Sequence, residues 1–397
     1  MSETNTRLPS SLVLLLATST GVSAASLYYA QPMLAALSQD LQTATSTIGL
    51  VPTMNQFGYA LGIILLAPIG DRIDRRKIIL AKAVALMLAL LASALAPTVT
   101  MLLVASLAVG LAATLAQDVV PAAATLAPAE HRGKIVGIVM TGLLLGILLS
   151  RVISGFVAEH WNWRAMYVIA AACVGVLALA LWRRLPHFKP TTQLPYGALL
   201  GSLWTLLRQY EGLRRAAMAQ GLLSVTFSAF WSTLAIMLTQ APFHMGSSVA
   251  GMFGLAGALG ALGAPFAGRL SDRLGPEIVT RVGIGLTMIS FVVMFLGPAL
   301  STPAHFALLI GATVAFDLGI QTTLIAHQTI IYSLDAQARS RINAVFLGSM
   351  FIGMASGAAL GSLLLAWAGW LAVVGLCSAS ALAALLIRLR PAVRSSH

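Results

Sequence analysis

The chain has 397 residues, 58% hydrophobic and 9% charged, with a mean hydropathy of +0.89, so it lacks the polar shell that keeps a protein in water. This excludes a soluble enzyme on a single anchor, any large extramembrane domain, and a porin-like barrel, whose strands alternate in polarity. The net charge of +12, from 24 Lys and Arg against 12 Asp and Glu, suits a nucleic-acid binder or a membrane protein, and the placement of the charges decides which.

Taken in chain order, apolar runs of membrane-spanning length fall at 11–36, 46–69, 78–96, 99–125, 135–158 and 165–182. The first imitates a secretory leader, with Arg7, an apolar core and Val22-Ser23-Ala24, and reads as an uncleaved first span. A more polar stretch, 183–212, follows; Leu199, Leu203, Leu206 and Leu207 stand there at helical spacing, which suits a helix lying along the membrane surface. Apolar runs resume at 215–240, 247–267, 278–298, 303–331, 342–366 and 370–388. The expected fold is an all-α membrane protein of twelve spans: residues 1–182 and 213–397 form six-helix units, and 183–212 a linker. Cys173 and Cys377 both lie in apolar runs and read as small buried hydrophobes.

An even number of spans puts all Lys and Arg except Arg151 and Arg164 on one side of the membrane. The short loops of the other side hold Asp40, Glu159 and Arg164. Positive residues collect on the cytoplasmic side, so both termini are expected there, with the bacterial inner membrane as the setting. The net charge therefore reflects topology and lipid contact, with no nucleic acid implied.

Ala67-Pro68-Ile69-Gly70-Asp71-Arg72-Ile73-Asp74-Arg75-Arg76-Lys77 follows the second span, and Gly268-Arg269-Leu270-Ser271-Asp272-Arg273-Leu274-Gly275 follows the eighth. Arg132 and Arg339, Lys134 and Arg341, Gly146 and Gly353, and Trp163 and Trp370 are further echoes at an offset of about 200 residues, the mark of a duplicated unit. The pattern Gly-x-x-x-Asp-Arg-x-Gly in these two loops resembles a motif of the major facilitator superfamily. Tyr28-Tyr29-Ala30-Gln31-Pro32 and Pro128-Ala129-Glu130-His131-Arg132-Gly133 are similar to the bacterial drug:proton antiporter type. The resemblance implies two pseudo-symmetric six-helix bundles around a central cavity. In the first half Ala67 and Asp74 stand where the pattern has glycine. Physically, Asp71 and Asp272 can accept from the orphan N–H groups of a facing helix, and Arg72, Arg75, Arg76 and Arg273 can pair with carboxylates or lipid phosphate. With Gly268 and Gly275 they are the expected conformational latch; Lys77 and Lys82 read as topology signals.

Charged groups inside a membrane are functional candidates by default. Asp118, Arg151 and Asp317 qualify, as candidates for proton coupling, with Arg151 expected beside Asp118; a static Asp118–Arg151 pair is the plain alternative. His327 reads as an interfacial or packing residue. The resemblance implies that the first, fourth, seventh and tenth spans line the cavity, and the substrate candidates are Tyr28, Tyr29, Gln31, Asn55, Gln56, Gln117, Phe227, Trp231 and Gln321. An apolar, aromatic lining with a few polar groups suits a small amphipathic compound rather than a sugar or a polyanion. Two features of the antiporter type are absent: an arginine before Gly110, where Ser106-Leu107-Ala108-Val109 stands, and a Gly-Pro pair near Leu149-Ser150-Arg151-Val152. No Walker A loop or metal-ligand cluster is present, so no cofactor or metal is expected, and the chain does not read as an enzyme. The expected function is proton-coupled efflux of a small organic compound, with uptake by symport or facilitated diffusion, and a non-transporting receptor or scaffold, as alternatives.

Overall fold

The computed structural model describes residues 8–190, 195–261, 270–271, 273–335 and 338–390, except the side chains of Ala67, Asp71, Ala129 and Ala261. Among them no strand occurs. The helices are α1 Ser10–Ala25, α2 Ala30–Asp40, α3 Leu50–Leu61, α4 Arg75–Ala94, α5 Val99–Ala113, α6 Leu115–Leu126, α7 Arg132–His160, α8 Trp163–Arg184, α9 Tyr196–Gln209, α10 Glu211–Thr239, α11 Ser247–Ala261, α12 Pro276–Met294, α13 Thr302–Tyr332, α14 Arg339–Ala368 and α15 Trp370–Leu389. Helix is the solution a lipid environment imposes, because every backbone polar group is satisfied within its own segment.

By length and composition ten of the described helical segments cross a membrane, and the bent pair α1–α2 makes eleven; α11 is apolar but shorter. These eleven fall on eleven of the expected runs, and the shorter α11 lies on the remaining one, 247–267. The first span bends by 42° between α1 and α2, and the fourth breaks at Thr114 between α5 and α6, with Pro121 inside α6. Within 183–212 the leucine spacing forms a helix, α9, whose Leu199, Leu203 and Leu206 are buried while Trp204 faces outward. Cys377 is buried as expected, but Cys173 is exposed on α8. It lies on the outward side of an apolar helix, where a small thiol costs nothing in lipid.

The duplicated glycines make equivalent contacts. In α7, Gly142 and Gly146 touch the backbone of Ala17 and Gly21 in α1; a Cβ at either position would collide. In α14, Gly353 and Gly357 touch Gly221 and Val225 of α10 in the same manner. Small residues let backbones approach closely where no hydrophobic drive between helices exists. The most buried of the long helices is α10, which packs on α14, α15, α13 and α2. The other half meets it along three seams: α3 on α14, α7 on α11, and α2 on α10.

Loops on the sparsely charged face are tied by side chains. Arg164 pairs with Asp40, which also accepts from Trp163 Nε1 at 3.1 Å, and Arg164 Nη2 donates to the Ala96 carbonyl at 3.2 Å. The one arginine of that face thus serves as a strap between three connections.

Candidate functional site

The structure separates the three intramembrane charges into two groups. Asp118 and Lys82 lie about two helical turns from the basic-loop ends of α6 and α4, at matching depth. Lys82 Nζ meets Asp118 Oδ2 at 2.6 Å with both residues buried. The expected pairing of Asp118 with Arg151 is therefore replaced by one with Lys82, and Lys82 is an ion-pair partner rather than a topology signal. The physical reason is depth: Lys82 and Asp118 stand level on neighbouring helices, whereas Arg151 is drawn to Gln31 of α2. The carboxylate also lies against Gly70 in the Asp-Arg turn, where a Cβ would press on Asp118 Oδ1 at 3.0 Å.

Of the expected latch residues, Gly268 and Asp272 lie outside the described residues, as does the side chain of Asp71. Arg72 and Arg273 are exposed. Arg76 donates from Nη2 to the Trp182 carbonyl at 2.5 Å and meets His187 at 3.0 Å, so it holds the start of the linker. Arg75 lies beside Gly70. Asp74 and Gly275 occupy equivalent places and solve one turn in two ways. Gly275 has φ +85°, ahead of Pro276 in α12, a conformation that favours glycine. Asp74, with φ −50°, caps α4 by accepting from the Arg76 amide at 3.0 Å. Its carboxylate also accepts from the Phe188 amide at 3.0 Å and contacts His187 Nδ1 at 2.6 Å. Burial alone would raise this carboxyl; the hydrogen bonds from Phe188, His187 and Arg76 outweigh it and hold the group below the ordinary carboxylate range.

The second group is central. Arg151, on α7, is 5% exposed and donates from Nε to Gln31 Oε1 on α2 at 2.9 Å. Its guanidinium lies 4.3 Å from the Trp231 ring centroid, 4.8 Å from Tyr28 and 5.7 Å from Phe227. Asp317, on α13, is 4% exposed. Trp231 turns its indole N–H edge toward Asp317 without closing a hydrogen bond of normal length. Between the two charges runs the glycine stripe of α11: a Cβ on Gly254 would press on the Arg151 side chain, and one on Gly257 on Asp317 and Trp231. Among the described residues no ion pair within 4 Å joins Arg151 to Asp317.

The remaining candidates scatter. Gln117 donates to Tyr59 Oη at 2.9 Å, and Tyr59 packs on Phe351 of α14. Asn55 and Gln56 are buried, with Asn55 Oδ1 and both ends of the Gln56 amide lacking protein partners. Gln321 is half-buried one turn beyond Asp317. Tyr29 lines a groove of about 470 Å³ between α1 and α7, together with Leu145 and Met166. His327 is fully buried and bonded to Gln220 at 3.0 Å, so it packs within the core rather than at an interface. Arg388, counted among the basic loops by sequence, is 1% exposed and pairs with Glu277 at 2.6 Å. Its place near the end of an apolar run hid it.

The sequence model of the Major Facilitator Superfamily matches residues 16–335. An uncharacterized transporter, YgaY, of Escherichia coli O157:H7 is 37% identical over 386 residues, covering 97% of this chain and 96% of that one. A probable transporter of Streptomyces coelicolor, SCO4007, is 31% identical over 90% of this chain and 82% of its own. Among solved structures, a bacterial homolog of the human lysosomal transporter Spinster, inward-facing and occupied, superposes with a TM-score of 0.73 at 16% identity, over 96% of this chain and 94% of that one.

Proposed function

The chain belongs to the major facilitator superfamily, and on that premise we propose that it moves a small amphipathic organic compound outward across the bacterial inner membrane by alternating access, in exchange for protons. The basic loops and both termini face the cytoplasm in this reading. Residues 1–182 and 213–397 are the two rocking bodies, joined by 183–212.

One observation carries the proposal: Asp317 and Arg151, both buried, face each other across the α11 glycines without a closed ion pair, where helices of both halves converge. A carboxylate in that position gains or loses its proton as the cavity alternates its exposure. Arg151 sets how readily it does so. Asp118, committed to Lys82, serves the latch: with the Asp-Arg turn it holds the ends of α4 and α6 on the basic face and is released when the bodies rock. The outward direction rests on the antiporter-like segments of the first and fourth spans.

The test is flux in liposomes under an imposed pH gradient. Asp317→Asn is expected to leave substrate exchange but abolish its dependence on the gradient. If Asp317→Asn keeps pH-driven flux and Asp118→Asn loses it, the coupling group is Asp118 instead.

A further inference from the structure

Resting on the transport reading, we propose that the substrate carries a single carboxylate, or an anionic group of like shape, and that this group docks on Arg151 and Gln31. Arg151 uses Nε on Gln31 Oε1 at 2.9 Å, which fixes the orientation of the amide: an Nε–H needs an acceptor, so the oxygen faces Arg151 and the Nε2 group is the free end. Both Arg151 Nη2 and Gln31 Nε2 are buried and have no hydrogen-bond partner. Arg151 is 5% exposed and Gln31 is 1% exposed, so bulk water does not reach them. Burying such donors unmet costs free energy, more so when one is charged.

The surroundings say what the missing acceptor is. Tyr28, Trp231 and Phe227 pack around the guanidinium at 4.8, 4.3 and 5.7 Å, and none of these rings offers its unmet N–H group a hydrogen-bond acceptor of carboxylate strength. A planar carboxylate meets a guanidinium edge and a neighbouring amide with parallel hydrogen bonds, which a hydroxyl or a cation does not. The aromatic rings supply an apolar wall for the rest of the molecule. With the facing Asp317 carrying its proton, as the transport reading has it in one state, the guanidinium is left to meet one negative charge, so the class is a monoanion. In this conformation the cleft bounded by Gln31, Pro32, Arg151, Trp231, Leu234 and Ala250 has no space for a water-sized body. The donors therefore become accessible when α2 and α10 part, as alternating access requires.

The experiment compares matched probes on the purified full chain: benzoate, benzamide and benzylamine, and octanoate, octanamide and octylamine. Binding is read as a concentration-dependent rise in the thermal midpoint. The carboxylates are expected to half-saturate at least about tenfold lower than the amides, and the amines not to bind. Arg151→Gln is expected to erase that preference. Gln31→Glu, which places a carboxylate on Arg151 from within the chain, is expected to erase it while holding the fold through a new ion pair. The proposal is overturned if amides or amines bind as well as carboxylates, if no probe binds, or if Gln31→Glu retains the preference. Flux of the same probes separates the two readings. Amine flux indifferent to Arg151 leaves transport standing and removes this inference; specific carboxylate binding without flux does the reverse.

Discussion

At the scale of single residues, the informative side chains are those whose charge is hidden. Lys82 and Asp118 are buried together, so removing Lys82 takes a close cation from a buried carboxylate. Lys82→Ala is expected to cost about 3–5 kcal/mol. The double change Lys82→Met, Asp118→Leu should recover most of the thermal midpoint while impairing the latch, which a melt and a flux assay on the same protein will show. Gly275→Ala meets the positive φ of that turn and is expected to cost about 1–2 kcal/mol, measured as a lowered midpoint. Asp74 lends a pH dependence on the basic face. Its carboxyl is held below the ordinary value in the folded chain, so its contribution is complete above the unfolded pKa. That contribution is lost as the pH falls through the depressed folded value. Asp74→Asn should loosen the Phe188 segment at neutral pH, seen as faster proteolysis after 185–190, and should flatten the acid limb of that rate.

At the scale of helices, the apolar runs located the spans because an all-round apolar segment has one fate in lipid. Their breaks were not legible. Hydropathy is blind to a bend of 42° at 26–29, where the chain stays apolar, or to a fresh start at Thr114. The partner of Asp118 was not legible either, because Lys82 stands close behind the basic run Arg75-Arg76-Lys77 and reads with that loop. The glycine echoes were legible, since Gly146 and Gly353 make the same close approach in the two halves. Gly146→Val and Gly353→Val are expected to lower the thermal midpoint to a similar degree, because each drives a side chain into backbone that has no room to yield. A Val at Gly137, where no neighbour lies within 4 Å of the added Cβ, is the control.

For the whole molecule, the seams between halves set what motion is allowed. On the sparsely charged face the Ser248 amide donates to Glu159 at 2.7 Å, and Gly155 lies against the backbone of Ser247 and Gly251. Toward the basic face, Gly133 and Gly137 of the same α7 have open space beside them. A bismaleimide bridge between Glu159→Cys and Ser248→Cys, in a background with Cys173 and Cys377 replaced, is expected to stop turnover. Persistent flux in the bridged protein would show that the α7–α11 seam does not open. The motif loops were recognisable at this scale from their repetition alone. The reason Asp74 departs from glycine was not, because its partners, Phe188 and His187, lie more than a hundred residues downstream.

The aromatic setting of Arg151 bears on how the chain is made. Gln31 and Tyr28 precede it in translation, whereas Phe227 and Trp231 follow it by about 80 residues, or roughly 4–16 s of synthesis. During that interval the fifth span carries an arginine whose cage is half built, a burden of about 3 kcal/mol on insertion scales. Its long apolar flanks and the glycine contacts with α1 are already in place to hold it in the membrane. A nascent chain arrested before Phe227 is thus the point at which biogenesis is most exposed to quality-control proteolysis, and a ribosome-arrest series assayed by protease protection will locate it.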